Sequence, residues 1–274
     1  MFANQCWWIT GASSGIGEGL AQKLADQGAR LILSGRNVAE LERVAATCGA
    51  DRCLTLPFDV TDFAALPALV EKAWAWAGRI EALVNNAGIS QRSLALESSF
   101  AVYEKIIAID LLAPIALTQA LLPKMVAAGG GRIVAISSVA GIVGVPMRSA
   151  YSAAKHGLIG YCDSLRCETA HLGIQVQVIA PGSIKTNVSR NALTADGSAR
   201  GVSDGVIEAG YSVDEAVDAM MDALAAGKRE FIFARGAEAQ IAALRRSDPD
   251  ALFDQMEKMV RAGYAEKMKS VKPA

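Results

Sequence analysis

Seven short runs dense in aliphatic, aromatic and β-branched residues, spaced by longer stretches with helical periodicity, leave few folds open to this chain. They are QCWWIT (5–10), ARLILSG (29–35), CLTLPFDV (53–60), ALVNNAG (82–88), RIVAISS (132–138), IQVQVIAPG (174–182) and EFIFA (230–234). Each is apolar nearly throughout, as strands covered on both faces are. Their alternation with helices is the signature of an α/β fold: a doubly wound parallel sheet, here of seven strands. The helix before the last run opens at Ser212-Val213-Asp214-Glu215, a capping-box pattern. Beyond residue 235 the spacing predicts two helices, the second beginning near Asp248 with Pro249 in its first turn. Its apolar face (Leu252, Phe253, Met256, Met259, Val260, Tyr264) suits core or interface packing, with a substrate lid or a membrane-surface contact as the alternative.

A length of 274 residues permits one or two domains. With no linker or low-complexity tract, we read 1–274 as one domain, its core at about 5–235 and a helical extension at 236–274. A net charge of −1 with no basic stripe argues against a nucleic-acid partner. Five cysteines without a C-x-x-C pair, and only two histidines, offer no metal constellation. They read as free thiols in a reducing compartment, so a cytoplasmic protein is expected. No basic region precedes the first apolar run, and nothing reaches roughly 18 uninterrupted apolar residues, so no membrane span is expected.

The first strand leads into TGASSGIG (10–17), where GASSG also fits the G-x-S-x-G turn of a hydrolase nucleophile. Such a serine follows a central strand and is served by a later acid and histidine. Here the candidates are His156, beside a better-explained lysine, and His171. A phosphate cradle fits better. Gly11 turns the chain, Gly15 and Gly17 let backbone approach a pyrophosphate, and the following helix points N–H groups at it. We therefore expect Gly11, Ser13, Ser14, Gly15, Ile16 and Gly17 to hold a dinucleotide. At the exit of the second strand, where an acid would accept a free ribose 2′-hydroxyl, stands Gly35-Arg36. A guanidinium there favours a 2′-phosphate and hence NADP(H) over NAD(H), although a solvated turn also accommodates an arginine.

Tyr151-Ser-Ala-Ala-Lys155 places a phenol and an ammonium one helical turn apart. Thirteen residues before Tyr151, Ser138 ends a strand at the carboxyl edge of the sheet, where open α/β folds bind ligands. A phenol with an ordinary pKa near 10 needs about 4 kcal/mol of preferential phenolate stabilisation to act as a base near neutrality. An adjacent ammonium has the sign to supply it. Tyr151 then exchanges a proton with a substrate oxygen that Ser138 holds. These residues are also expected to contact the cofactor (Tyr151, Lys155) and the substrate (Ser138, Tyr151).

In order, TGASSGIG (10–17), DV (59–60), NNAG (85–88), ISS (136–138), YSAAK (151–155) and PGSIKT (181–186) resemble the short-chain dehydrogenase/reductase family over roughly residues 5–235. The SGRN exit and residues 186–202 look like its member-7 subgroup. The resemblance implies a Rossmann-type sheet, with Asp59 and Val60 near the adenine, Asn86, Ala87 and Gly88 along the cofactor, and Ile184 and Thr186 near the carboxamide. It implies an oxidoreductase acting on a secondary alcohol or ketone, and we expect a homodimer or homotetramer. A regulatory protein that binds the dinucleotide without turnover is the alternative, disfavoured by the intact Ser138, Tyr151 and Lys155. Members of that subgroup often carry an N-terminal membrane segment; the sequence here opens without one, so membrane association is not expected.

One position departs from the family: AIDLLAP puts Asp110 where Asn is usual. Family resemblance places this residue at a break in a helix and assigns its main-chain carbonyl to a water relay from the lysine; if its carboxylate is ionised near Lys155, it is expected to favour the ammonium yet weaken the field at Tyr151. Val139 and Val145, with Val143, Pro146 and Met147, are expected to flank an apolar substrate pocket. It suits a steroid, retinoid, aryl ketone or lipid intermediate alike. Residues 187–211 are expected to form its lid.

Overall fold

The computed structural model describes residues 1–269, so the last five residues of the C-terminal extension lie outside the described residues. Seven strands, β1 (Cys6–Thr10), β2 (Arg30–Ser34), β3 (Cys53–Thr55), β4 (Ala82–Asn85), β5 (Gly131–Ile136), β6 (Ile174–Pro181) and β7 (Glu230–Phe233), form one sheet in the order β3-β2-β1-β4-β5-β6-β7. All pairings are parallel. The helices are α1 (Gly15–Asp26), α2 (Val38–Cys48), α3 (Leu66–Ala77), α4 (Phe100–Ile107), α5 (Ala113–Ala127), α6 (Ser149–Thr169), α7 (Gly205–Glu208), α8 (Val213–Ala225), α9 (Gly236–Ser247), α10 (Pro249–Arg261) and α11 (Tyr264–Lys269). A π-helical turn, Ala108–Leu112, joins α4 to α5.

Successive strand residues point to opposite faces, and the two halves of the core show it. Trp7, Ile9, Leu31, Leu33 and Val84 pack with Leu20, Leu24, Leu41 and Met220 of α1, α2 and α8. Trp8, Ile32, Leu83, Ile133 and Val176 face the other way, onto Val70, Leu121, Met125 and Leu158 of α3, α5 and α6. Each fully buried aliphatic side chain contributes about 1.5–3 kcal/mol. The two tryptophans anchor opposite layers, and Trp8 satisfies its indole N–H on Ser34 Oγ at 2.9 Å. Because chain order reverses direction between β1 and β4, the crevice at their carboxyl ends is the switch point where such sheets bind ligands.

Two expected elements differ. The third strand ladder spans Cys53–Thr55 and not 53–60, because β3 lies at the sheet edge and its one partner, β2, ends at Ser34. Single bonds still carry the extended chain on, from Leu56 N to Leu33 O and from Phe58 N to Gly35 O. The C-terminal extension holds three helices where two were expected. Asp248 caps α10 through Ala251 N as its sequence suggests, but Gly263 at φ +85° ends that helix, and Tyr264 starts α11. Phe100–Ala127 is long and apolar enough, by length and composition alone, to cross a membrane. In this fold its Leu117, Leu121 and Met125 are buried against the sheet.

Candidate active site

The loop after β1 and the loop after β4 are tied together. Thr10 Oγ1 accepts from Asn86 N and Ala87 N, each at 3.1 Å, while Asn86 Nδ2 donates to Thr10 O at 3.0 Å and Gly11 O at 3.1 Å. Asn86 therefore acts first as a clasp on the glycine-rich turn. A Cβ at Gly17 would lie 2.3 Å from Gly11 O and 2.5 Å from Asn86 Nδ2, so this glycine is required for the helix to close on the strand exit. Gly15 is needed for another reason, its φ of +58°. Ser14 occupies the N-cap of α1 without a side-chain cap, which leaves the first turn's donors facing the crevice. A cradle of this shape fits a pyrophosphate.

The crevice is a cavity of about 720 Å³. Its walls bring together Gly11, Ser13, Ser14, Gly15, Ile16, Arg36, Asp59, Val60, Asn86, Ala87, Gly88, Asp110, Ser138, Val139, Val145, Tyr151, Lys155, Ile184 and Thr186. Of the expected cofactor residues only Gly17 stands behind the wall, in the packing role just described. Asp59 Oδ1 accepts from Thr61 N at 2.9 Å and Thr61 Oγ1 at 2.7 Å. These bonds hold its carboxyl below the usual range, with Arg36 and Lys105 adding their positive fields. Arg36 is exposed at the rim and makes no ion pair among the described residues. Neither histidine lines the cavity, and both are exposed. His156 Nδ1 lies 2.8 Å from Ser152 O on its own helix. A base for Ser13 is therefore missing, and the nucleophile reading falls.

Ser138, at the N-cap of a short 3₁₀ turn after β5, accepts from Ala140 N at 3.1 Å and donates to Pro181 O at a long 3.4 Å. Its hydroxyl is weakly held and can turn to a ligand. Tyr151 is half-buried on α6, with Lys155 Nζ 5.7 Å from its ring centroid. Lys155 is buried and donates to Ile136 O at 3.0 Å.

The π-helical turn presents Asp110, fully buried, to the same lysine. Its Oδ1 accepts from Ile89 N at 2.9 Å, and its Oδ2 lies 3.2 Å from Lys155 Nζ without hydrogen-bond alignment. Burial pushes the Asp110 carboxyl up, while Lys155 and the Ile89 N–H pull it back. Burial also opposes the Lys155 ammonium, but the charges of Asp110 and Tyr151 outweigh it and raise that pKa. The resemblance assigned position 110 a main-chain role. The structure puts its carboxylate directly on the lysine.

The apolar end of the cavity differs in part from expectation. Val139 and Val145 line it. Val143 and Met147 do not: Val143 packs with Ala242 and Leu252, and Met147 with Ala265 and Met268, because the C-terminal helices fold back over this loop. Pro146 is also off the wall. In their place stand Ile241, Met256, Met259 and Tyr264 from α9, α10 and α11. The extension thus walls one side of the cavity, while Leu252 and Met256 of that apolar face pack into a core cluster with Val143 and Ala242, as the core reading expected. Leu252 is buried beneath it, whereas Phe253 and Val260 are exposed. Glu238 fastens α9 to the loop after β6 through Ser183 N at 2.8 Å and Ser183 Oγ at 2.7 Å. Residues 187–211 contribute Asn187, Val188, Asn191, Leu193, Val206 and Ile207 to the wall.

Sequence reasoning missed Lys105, Arg92, Arg148 and Glu238. The one available signal was Arg148, three residues before Tyr151 at the start of the same helix.

A doubly wound dinucleotide fold whose switch-point cavity gathers a strand-end serine, a tyrosine and a lysine defines a class: nicotinamide-dependent α/β oxidoreductases. The chain belongs to the short-chain dehydrogenase/reductase family, whose short chain dehydrogenase model matches residues 5–197. It is 39% identical over 257 residues to the dehydrogenase/reductase SDR family protein 7-like of Anopheles gambiae, covering 91% of this chain and 81% of that protein. It superposes on a short-chain dehydrogenase from Streptomyces avermitilis with a TM-score of 0.81 at 28% identity, covering 94% and 98% of the two chains. A short chain dehydrogenase from Burkholderia cenocepacia in complex with NADP matches with a TM-score of 0.78 at 26% identity, covering 93% and 98%.

Proposed function

We propose that this protein is an NADP(H)-dependent oxidoreductase that interconverts a secondary alcohol and a ketone or aldehyde on a hydrophobic molecule. What supports this reading is the convergence of Ser138, Tyr151 and Lys155 on the cavity that also holds the glycine-rich turn. When bound, the nicotinamide dinucleotide supplies or accepts the hydride. Tyr151 donates its phenolic proton to the carbonyl oxygen as negative charge builds there, and takes it back in the oxidative direction. Ser138 turns its hydroxyl from the long Pro181 contact to that oxygen, a bond that strengthens as charge develops. Lys155, anchored by Ile136 O and Asp110, keeps a positive charge beside the phenol. A panel of carbonyl compounds assayed by NADPH oxidation tests the reading. No carbonyl-dependent consumption of NADPH or NADH would reject it.

Preference for NADP(H) rests on Arg36, unpaired at the rim, and draws support from the NADP complex of the Burkholderia cenocepacia relative. Arg36→Asp removes a partner for the 2′-phosphate and adds like-charge repulsion, while offering a free ribose an acceptor. The NADPH-to-NADH affinity ratio is expected to fall at least tenfold, or about 1.4 kcal/mol. An unchanged ratio in direct titrations would return Arg36 to solvent.

Asp110 sets the pH at which the tyrosine works. A carboxylate 3.2 Å from Lys155 Nζ cancels part of the lysine's field at the phenol. Less phenolate stabilisation means that alcohol oxidation needs more alkaline solution. Asp110→Asn keeps shape and the bond to Ile89 N, restores the field, and is expected to move the oxidative pH profile toward acid with activity retained. Superimposable profiles of the two proteins would remove the electrostatic role.

The free cysteines fit a reducing cytoplasm, and we take the assembly to be a homodimer or homotetramer. Phe100 and Leu112, exposed on α4 and the π-turn, are candidates for its contact.

A further inference from the structure

Under the loop 187–211 three arginines meet one aspartate. Asp204 is fully buried, with Oδ2 2.6 Å from Arg92 Nε, 2.5 Å from Arg92 Nη2 and 3.4 Å from Arg148 Nη2; its Oδ1 accepts from Arg200 Nη1. No other acid pairs with these guanidiniums among the described residues. One carboxylate against three guanidiniums leaves two positive charges unmatched, on side chains that are 3% (Arg92), 16% (Arg148) and 9% (Arg200) exposed. Such an excess is costly unless an anion joins it.

The three are not equivalent. Arg92 commits its remaining nitrogen to Ser90 Oγ at 2.8 Å and Gln91 O at 2.7 Å, and Arg200 commits Nη2 to Met268 O at 2.6 Å. Burial first, and then the neighbouring Arg148, push Arg92 down to about 10. Arg148 is the under-used member. Beyond the long contact to Asp204, its Nε is buried without a partner. It lines the cavity with Arg92, at the N-cap of α6, where no side chain caps the helix and the dipole adds positive potential. The carboxylates that share the cavity wall near the substrate end are occupied: Glu238 with Ser183, and Asp110 with Lys155 and Ile89 N. Val145, Val206, Ile207, Met259 and Tyr264 line the same cavity as Arg148, together with the polar Ser90, Asn187 and Asn191.

We propose that the substrate carries an oxyanion, a carboxylate or a phosphate monoester, on the same molecule as its carbonyl group and apolar chain, and that Arg148 receives it with Arg92 behind. This deepens the oxidoreductase reading and rests on it. Arg148 lies three residues before Tyr151, so the anion and the reacting oxygen are held by one end of one helix. A neutral steroid or aryl ketone would leave the charge excess unanswered, and the requirement separates this site from a general hydrophobic-carbonyl pocket.

The test uses the full chain with NADPH. Oxo-decanoates with the ketone at successive positions are compared with their methyl esters, and hydroxy-ketone phosphate monoesters with the parent alcohols. At least one anionic compound is expected to exceed its neutral partner tenfold in kcat/KM, with the acid and phosphate arms telling which oxyanion fits. Arg148→Gln should bring that ratio to within about threefold of one, and Arg148→Lys should retain part of it. Anionic and neutral partners that react equally well in the unmutated protein overturn the proposal while leaving the oxidoreductase reading in place. Calorimetric titration with unreactive decanoate and methyl decanoate supplies a readout without turnover. Tenfold tighter decanoate binding that depends on Arg148, in a protein that reduces no ketone, would uphold the anion site and reject the proposed reaction instead.

Discussion

Tyr151→Phe is expected to lower turnover by at least about a hundredfold, the usual scale for losing a general acid, while NADPH binding stays nearly intact. The substitution removes one hydroxyl and keeps the ring, which is half-buried against Val102, Ile106, Ala150, Ala154 and Leu193. Packing is therefore retained, and a change in thermal midpoint should be small. Steady-state rates with a reducible carbonyl, beside a fluorescence titration of the dinucleotide, separate the two effects. Near-normal turnover would remove Tyr151 from the mechanism. A parallel loss of binding would make its role one of cofactor placement.

Lys155→Met is expected to cost about 3–5 kcal/mol of stability besides activity, since it strands a carboxylate that has no exposure to water. The sign of the pH dependence follows from the same burial. Without the lysine, desolvation raises the Asp110 carboxyl further, so the folded variant binds more protons than the unfolded one. Its stability then falls as pH rises. Urea unfolding at about pH 5.5 and about pH 8 should show the larger deficit at the higher pH. Pairing Lys155→Met with Asp110→Leu should recover most of the stability and none of the activity. An unaltered deficit in the double variant would mean that the Lys155 bond to Ile136 O, and not the ion pair, holds this region together.

Much of the site was legible because its chemistry is local. The turn from Gly11 to Gly17 lies within one strand-to-helix junction, where steric demands on single residues leave a mark in the sequence. Tyr151 and Lys155 share one helical turn. Ser138 was legible through its position at a strand end. For one glycine the structure adds a reason that the local pattern does not carry: Gly17 makes room for the clasp of Asn86 on the β1 exit, a contact spanning 75 residues to Gly11. The short β3 escaped because it is decided by where its partner β2 ends, and the third C-terminal helix because one glycine at positive φ divides an amphipathic pattern. Asp110 was noticed as a departure at an expected helix break, and the π-turn there brings its carboxylate to the lysine, a distance that only the fold sets.

By itself the sequence determined the order of the seven strands and their alternation with helices, the cofactor turn and the serine, tyrosine and lysine, because periodicity and short-range sterics are properties of neighbouring residues. Tertiary structure alone decided that Met256, Met259 and Tyr264 close the cavity, that Val143 and Met147 turn away from it, and that Arg92 and Arg148 stand around Asp204. Arg92 and Asp204 are 112 residues apart. Nothing in either local pattern favours the other. Their attraction gains strength only where the fold excludes water and lowers the dielectric between them.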